Sequence, residues 1–161
     1  MTWQEILEHP SLKNLPFKIE TNEFGQIVLS RENYLHGVYQ SCMARTIGAF
    51  LPNGLASSET AIRTRKGIKV PDVAWSSYEF FEVHRDKLEL SQAPELCVEI
   101  LSPNNSSKEI SGKRKLYFER GTIEVWTCDL NGVVKFYDAN GELEASVFAN
   151  GFPKQIEIET P

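Results

Sequence analysis

Residues 94–128 constrain the fold of this 161-residue chain more than any other stretch. The segment begins with "PELCVEIL", a short apolar run that is typical of a strand buried on both faces. Residues 106–120 then predict an amphipathic helix, and Gly121 directly behind it is suited to cap its C-terminus. "TIEVWTCD" predicts a second buried strand. A strand, a helix and a strand in this order predict a parallel crossover and therefore a sheet with a helix packed on it.

The rest of the chain adds strands and helices to this unit. The other predicted elements are a short helix at 3–9, a hairpin at 17–30, a long helix at 33–51, extended segments at 55–77 and a second hairpin at 131–148. This order predicts an α/β fold, more closely an α+β arrangement in which helices pack on a central mixed β-sheet. The length fits a single domain over residues 1–161.

Composition narrows the class of protein. No apolar run approaches the roughly 20 residues of a membrane span, and the N-terminus lacks the pattern of a signal peptide, so we expect a cytoplasmic protein without a membrane partner. Cys42, Cys97 and Cys128 lie far apart in apolar segments and are expected to be reduced core residues. The formal net charge of -5 argues against a general nucleic-acid coat but allows a local basic face.

Glu99 is an anomaly within the first predicted strand of residues 94–128. It stands among Leu96, Cys97, Val98 and Ile100, all of which are expected to be buried. A buried glutamate costs several kcal/mol unless it is protonated, paired or bound to a cation. The chain must therefore supply a partner for this carboxylate.

Asp72 is the first candidate partner. In "IKVPDVAWSS" it directly follows Pro71, and proline fits the start or the edge of a strand. If this strand lies beside that of Glu99, two carboxylates converge, and both can stay ionised only with a cation nearby. Oxygen ligands of this kind suit Mg²⁺ or Mn²⁺.

Lys113 is the second candidate partner. Glu109, Lys113, Leu116 and Tyr117 recur at spacings of three and four, so we expect them on the helix face that packs on the sheet. A lysine on that face can reach back to Glu99. The spacing leaves two interpretations open: a buried ion pair that joins helix to sheet, or a catalytic group.

Three segments in a fixed order resemble a known family. "VPDVAW", "ELCVEILSP" and "KEISGKRKLYFERGTIEVWTCD" are similar to motifs of the restriction endonuclease family within the PD-(D/E)XK nuclease superfamily. In that family a PD lies on one strand, E-V-L-S-P on the next, and K-x-x-x-Y-x-x-x-G-V-x-E-Y-W follows. The residues that keep the spacing of the last motif are Lys113, Tyr117, Gly121, Glu124 and Trp126.

Leu101 departs from the general superfamily motif, which places a lysine two residues after the glutamate. The family that this chain resembles shares the departure, because its lysine has moved to the following helix. Lys113 is the residue that matches the moved lysine.

The resemblance implies a restriction-endonuclease-like core and a Mg²⁺-dependent or Mn²⁺-dependent endonuclease that acts on DNA. It assigns catalysis to Asp72, Glu99 and Lys113, and metal binding to Asp72, Glu99 and the main-chain carbonyl of Ile100. Four more residues are candidates for supporting roles, each with an ordinary structural role as the alternative: Glu20 as an outer metal ligand, His36 as a phosphate contact, and Ser102 and Glu109 as hydrogen-bonding partners of the metal ligands.

The sequence says less about substrate binding. Two groups of basic residues, in "RTRKGIK" and along the helix at 106–120, fit either phosphate contacts or ordinary solvated faces. The aromatic residues Trp75, Tyr78, Phe80 and Phe81 favour core packing or an oligomer contact over base stacking. Because nucleases that cut both strands are often dimers, a homodimer is the expected assembly.

A protein of another class fits the same residues. It would be a catalytically inactive protein with a nuclease fold that binds nucleic acid or a protein partner, with Asp72, Glu99 and Lys113 as a buried ionic network. The same metal chemistry directed at RNA is a third hypothesis.

Overall fold

The computed structural model describes all of residues 1–161 and contains both helices and strands throughout the chain. The helices are α1 (Trp3–Glu8), α2 (Tyr34–Phe50), α3 (Tyr78–His84) and α4 (Ser107–Glu119). The strands are β1 (Lys18–Thr21), β2 (Ile27–Ser30), β3 (Gly54–Ser57), β4 (Ile62–Thr64), β5 (Gly67–Lys69), β6 (Val73–Ser77), β7 (Leu96–Ile100), β8 (Glu124–Cys128), β9 (Val134–Asp138) and β10 (Gly141–Leu143). The predicted mixed α/β fold is confirmed.

A six-stranded mixed sheet forms the centre of the molecule, in the order β10-β9-β8-β7-β6-β3. β7 and β8 are parallel and joined through α4, as the strand-helix-strand pattern predicted, and the other neighbours are antiparallel. Every residue of β7 and β8 is buried. Their almost unbroken apolar runs follow from burial on both faces.

The two faces of the sheet carry different helices. On one face Met43 and Ile47 of α2 pack against Val98 and Trp126. On the other face Tyr117 of α4 belongs to a smaller cluster with Cys97, Val125 and Ile62. Because neighbouring residues of a strand point to opposite faces, Glu99 shares the α4 face with Cys97.

Two short hairpins lie outside the central sheet and place β1 beside the site. β1 pairs with β2, and β4 with β5. The hairpins are joined by side-chain hydrogen bonds: the Ile68 amide donates to Thr21 Oγ1 at 2.8 Å, and the Val70 amide donates to Glu20 Oε2 at 2.7 Å. The second hairpin therefore ties β1 to the chain that leads into Asp72.

Helix α3 is an element that the sequence pattern does not predict. Ser77 caps it by accepting a hydrogen bond from the Phe80 amide, and Glu79 lies in its first turn. The helix lies on the surface and buries none of its residues, so Tyr78, Phe80 and Phe81 do not pack in the core, and of the two expected roles an oligomer contact stays a prediction for them. Phe80 stacks on His84 within the helix instead, and of the four aromatic residues only Trp75 is buried.

Two further observations concern the chain as a whole. All three cysteines are free, with Cys97 and Cys128 buried and Cys42 half-buried. None of the helices combines the length and the apolar character that crossing a membrane requires.

Candidate active site

Asp72 and Glu99 meet where β6 begins and β7 ends. Val73 pairs with Val98 in the antiparallel register, so Asp72, one residue before β6, lies next to Glu99. Both side chains are buried, with 5% and 3% of the residue exposed. Asp72 is held at both ends, because its Oδ2 accepts from the Ile100 amide at 2.8 Å and its main-chain oxygen accepts from Gln40 Nε2 at 2.8 Å.

Two lysines, one on a helix and one on a strand, lie close to these carboxylates. Lys113 of α4 lies with its Nζ 3.6 Å from Glu99 Oε1. Lys18 of β1 lies with its Nζ 2.9 Å from Asp72 Oδ1 and 3.8 Å from Glu99 Oε2. The side chains are 13% and 19% exposed, so both ion pairs are largely shielded from water.

Glu20 adds a third carboxylate to the cluster. It lies two residues after Lys18 on β1, so both side chains point to the same face of the strand. Its Oε1 is 2.9 Å from Lys113 Nζ, while its Oε2 accepts from the Val70 amide. Glu20 therefore positions Lys113 and does not contact Asp72 or Glu99 directly.

Tyr117 fixes the orientation of Glu99. It lies one helical turn after Lys113, on the same face of α4, and its hydroxyl donates to Glu99 Oε1 at 2.6 Å. This hydrogen bond explains why a tyrosine follows the lysine at a spacing of four in the motif.

His36 lies at the start of α2, at the edge of the carboxylate pair. Its amide donates to the side chain of the helix cap Asn33. Its Nε2 is 3.1 Å from the carbonyl oxygen of Ile100 and 3.4 Å from Asp72 Oδ2. A carbonyl can only accept, so Nε2 carries a hydrogen in this contact.

The electrostatics of the site differ between its two central carboxylates. Burial raises the pKa of Glu99 to about 7, although Lys113 and Lys18 oppose the shift. Burial also acts on Asp72, but the hydrogen bond from His36 and the charge of Lys18 outweigh it and hold the pKa of Asp72 below its usual range. Asp72 is thus ionised at neutral pH, whereas Glu99 is close to its midpoint.

Both lysines stay charged. Burial alone would lower the pKa of Lys18, but Glu99 and Asp72 outweigh this effect and the pKa is raised. For Lys113 burial is likewise outweighed by Glu99, and its pKa is also raised. The site therefore contains fixed ammonium groups at physiological pH.

Ser102 and Glu109 are not part of this cluster. Ser102 donates to Asn105 Oδ1, and the exposed Glu109 contacts the Asn105 side chain at 3.4 Å. The expectation that Glu109 lies on the buried face of α4 is wrong, because Glu109 is exposed and the neighbouring Ile110 is buried in its place. Neither residue contacts Asp72, Glu99 or Lys113.

The oxygen atoms that could hold a metal are few. They are the carboxylates of Asp72 and Glu99 and the carbonyl of Ile100, and no three or more His, Cys, Asp or Glu side chains form a metal-binding group. Such a small set of hard oxygen ligands still fits Mg²⁺, which keeps several waters. The incompletely compensated charge of Glu99, seen in its raised pKa, is a further feature that favours a cation.

A cleft of about 740 Å³ opens beside the site. Its lining includes Lys18, His36, Gln40 and Asp72, together with apolar side chains of α1 and of the segment before β1. The cleft therefore reaches Asp72 and Lys18, whereas Glu99 lies behind them and does not line it.

The basic residues before the site contact carboxylates or a main-chain carbonyl of the protein itself. Arg63 pairs with Glu89 and Arg65 with Glu119, while Lys69 donates to the carbonyl oxygen of Thr21. These contacts give Arg63, Arg65 and Lys69 structural partners within the protein, which was the alternative to phosphate binding.

Two residues acquire a role that the sequence pattern did not predict. Lys18 stands in "FKIET", and the signal was its position two residues before Glu20 on a predicted strand. Glu124 accepts hydrogen bonds from Trp126 Nε1, from Ser146 Oγ and from the amides of Val147 and Phe148. Glu124 therefore anchors the C-terminal segment and does not reach the site.

Comparisons with known proteins agree with this architecture. The sequence model of one family, described as "Uma2: Putative restriction endonuclease", matches residues 3–159. Among solved structures, the fold is similar to that of a protein from Anabaena variabilis described as "a putative nuclease belonging to DUF820". The TM-score is 0.72 with 22% identity, over 97% of this chain and 95% of that one, and at this identity the likeness shows the fold alone. No curated protein matches the sequence.

Proposed function

Because the chain belongs to the Uma2 family of restriction endonucleases, as its motifs predicted, we propose that it is a metal-dependent endonuclease that hydrolyses DNA phosphodiester bonds. The observation that supports this most is the convergence of Asp72 and Glu99 from paired strands, with Lys113 within 3.6 Å of Glu99. Two buried carboxylates beside a fixed ammonium, at the end of an open cleft, are suited to a site for a metal and a phosphate.

Asp72, Glu99 and the carbonyl of Ile100 would hold the metal. Mg²⁺ or Mn²⁺ bound there would supply Lewis-acid polarisation of the scissile phosphate and a lowered pKa for the attacking water. The protein's own part is to keep the oxygen ligands in place. The Ile100 amide and Gln40 fix Asp72, while Tyr117 fixes one oxygen of Glu99.

Lys113 would act as a fixed positive charge. Its pKa is raised, so it remains an ammonium group at neutral pH and is better suited to stabilise negative charge on the phosphate than to remove a proton from water. Glu20 would act as a positioning residue, because it holds Lys113 at 2.9 Å. His36 would keep the Ile100 carbonyl aligned from its place at the start of α2.

A plasmid-cleavage assay tests this proposal. Purified protein is incubated with supercoiled plasmid and Mg²⁺ or Mn²⁺, and nicked and linear products are followed over time. Asp72→Asn and Glu99→Gln are expected to lower the rate by at least about a hundredfold. Each substitution keeps the shape of the side chain but removes the negative charge that would bind the metal. Circular dichroism of both variants checks that the fold persists.

The matched control is Glu142→Gln, which removes an exposed carboxylate on β10, away from the site. Its cleavage rate should equal that of the unaltered protein. Equal rates for all three variants would contradict the site assignment. Absence of metal binding in calorimetry, together with absence of cleavage, would favour the inactive nuclease-fold protein. RNA of the same sequence, tested in parallel, separates the two nucleic acids.

A further inference from the structure

Lys18 occupies the position between the two central carboxylates. Its ammonium is 2.9 Å from Asp72 Oδ1 and 3.8 Å from Glu99 Oε2. On the other side, Asp72 Oδ2 accepts from the Ile100 amide, and Glu99 Oε1 accepts from Tyr117 and faces Lys113. All four carboxylate oxygens thus have a donor or a cation from the protein itself.

A divalent metal would need oxygens that Lys18 already contacts. Mg²⁺ binds its ligands at about 2.0–2.1 Å, so a metal ion bound to Asp72 Oδ1 and Glu99 Oε2 would lie close to the ammonium, which is 2.9 Å and 3.8 Å from the same atoms. Two cations on the same oxygens repel each other strongly in a buried site. Metal and Lys18 therefore exclude one another at these atoms.

The ion pairs of Lys18 are all with Asp72 and Glu99, whereas Lys113 also has a partner outside this pair. Lys113 is also held by Glu20 at 2.9 Å. Lys18 lies on the smaller β1–β2 hairpin, outside the central sheet, and lines the cleft of about 740 Å³. Its four-carbon stem can rotate the ammonium into that space without moving the backbone.

We propose that Lys18 is the resident counter-ion of the Asp72–Glu99 pair and that a divalent metal binds only by displacing its ammonium into the adjoining cleft. This inference rests on the proposed function, since it assumes that the carboxylates take a metal. Metal binding is then an exchange of cations, and its affinity is set partly by the ion pair that must first be broken.

The exchange is tested by calorimetric titration with Mn²⁺ alone, without nucleic acid. The unaltered protein is compared with Lys18→Met, which keeps the length of the side chain but removes its charge. The control is Lys69→Met, because Lys69 is a nearby ammonium that binds the carbonyl oxygen of Thr21 and forms no ion pair with Asp72 or Glu99. Lys18→Met is expected to bind Mn²⁺ at least about tenfold more tightly, and Lys69→Met within about threefold of the unaltered protein.

The outcomes separate this inference from the proposed function. Equal Mn²⁺ affinity in all three proteins overturns the exchange but leaves metal-dependent catalysis intact. Absence of Mn²⁺ binding in all three overturns both. Weaker binding by Lys18→Met overturns the exchange as well, since it would make Lys18 a support of the metal site.

A second measurement uses the unaltered protein and does not depend on the folding of a variant. Crystals soaked in MnCl₂ should show anomalous density at Asp72 and Glu99, with Lys18 Nζ moved away from Asp72 Oδ1 into the cleft. Manganese at this position with Lys18 still hydrogen-bonded to Asp72 would overturn the exchange.

Discussion

At the scale of a single residue, the raised pKa of Glu99 makes the stability of the fold depend on pH. Burial raises its pKa from an ordinary value of 4.5 to about 7. Below pH 4.5 the carboxyl is neutral in both the folded and the unfolded chain. Between the two pKa values the unfolded chain loses this proton while the folded chain keeps it, so the stabilising contribution is lost as the pH rises to about 7.

We therefore predict a pH-dependent difference between the unaltered protein and Glu99→Gln. Glutamine keeps an acceptor for Tyr117 but cannot ionise. The free energy of unfolding of the unaltered protein, relative to Glu99→Gln, should fall by roughly 3 kcal/mol between pH 4.5 and pH 7. Urea titrations at several pH values measure this difference.

Asp72→Asn provides the internal comparison, because the pKa of Asp72 shifts in the opposite direction. Its stabilising contribution is present above the ordinary pKa of 3.8 and is lost as the pH falls below it. A difference for Glu99→Gln that stays constant from pH 4.5 to 7 would show that the lysines, rather than burial, determine the ionisation of Glu99.

At the scale of elements, the β4–β5 hairpin holds β1 beside the site, because its Gly67 packs closely against the backbone at the end of β1. Gly67 has a φ of +87°, and a Cβ at this position would lie 2.5 Å from the carbonyl oxygen of Asn22 and 2.6 Å from that of Thr21. Only glycine fits there without pushing the two hairpins apart. Lys18 and Glu20 lie on the strand that would be displaced.

Gly67→Ala should therefore lower the free energy of unfolding by about 1–3 kcal/mol and reduce cleavage. The matched control is Gly112→Ala on α4, where an added Cβ meets no atom within 4 Å. Alanine there should raise stability by up to about 1 kcal/mol through its higher helix propensity. Thermal unfolding of both variants measures the contrast, and equal changes in the two would contradict the close contact at Gly67.

The elements show where sequence patterns are informative. β7, α4 and β8 were predictable because burial on both faces, helical spacing and Gly121 agree with one another. Helix α3 was not, since its aromatic residues are only half-buried or exposed and its helix depends on a local cap at Ser77. A short surface helix leaves little periodic signal.

The site was predictable only in part, for the same kind of reason. The family motifs predict that Asp72, Glu99 and Lys113 belong together, and the structure brings these three side chains into one cluster. Lys18 lies in a short strand of mixed polarity, and its contact with Asp72 depends on how two hairpins pack. Tertiary packing of this kind is not encoded in local spacing.

At the scale of the whole molecule, the charge distribution leaves few free basic side chains in the segment 63–66 for phosphate groups. The formal net charge is -5, and the basic side chains of 63–66 pair with Glu89, Glu119 and Glu23. Such exposed pairs contribute little to stability, but they reduce the charge available to phosphates.

Replacing both Arg63 and Arg65 by glutamine should consequently change the affinity for a DNA oligonucleotide by no more than about twofold at moderate salt. Fluorescence anisotropy titrations measure this affinity. A loss of tenfold or more would show that the arginines leave their carboxylates to bind phosphate groups.

The ion pairs of the site join distant parts of the chain, with sequence separations of 54 for Lys18 and Asp72 and 93 for Glu20 and Lys113. The N-terminal hairpin supplies Lys18 and Glu20, whereas α4, much later in the chain, supplies both Lys113 and Tyr117. A ribosome-bound fragment that ends before residue 113 holds the carboxylates without their complete set of partners. The candidate site is therefore complete only in a chain that contains both the N-terminal hairpin and α4.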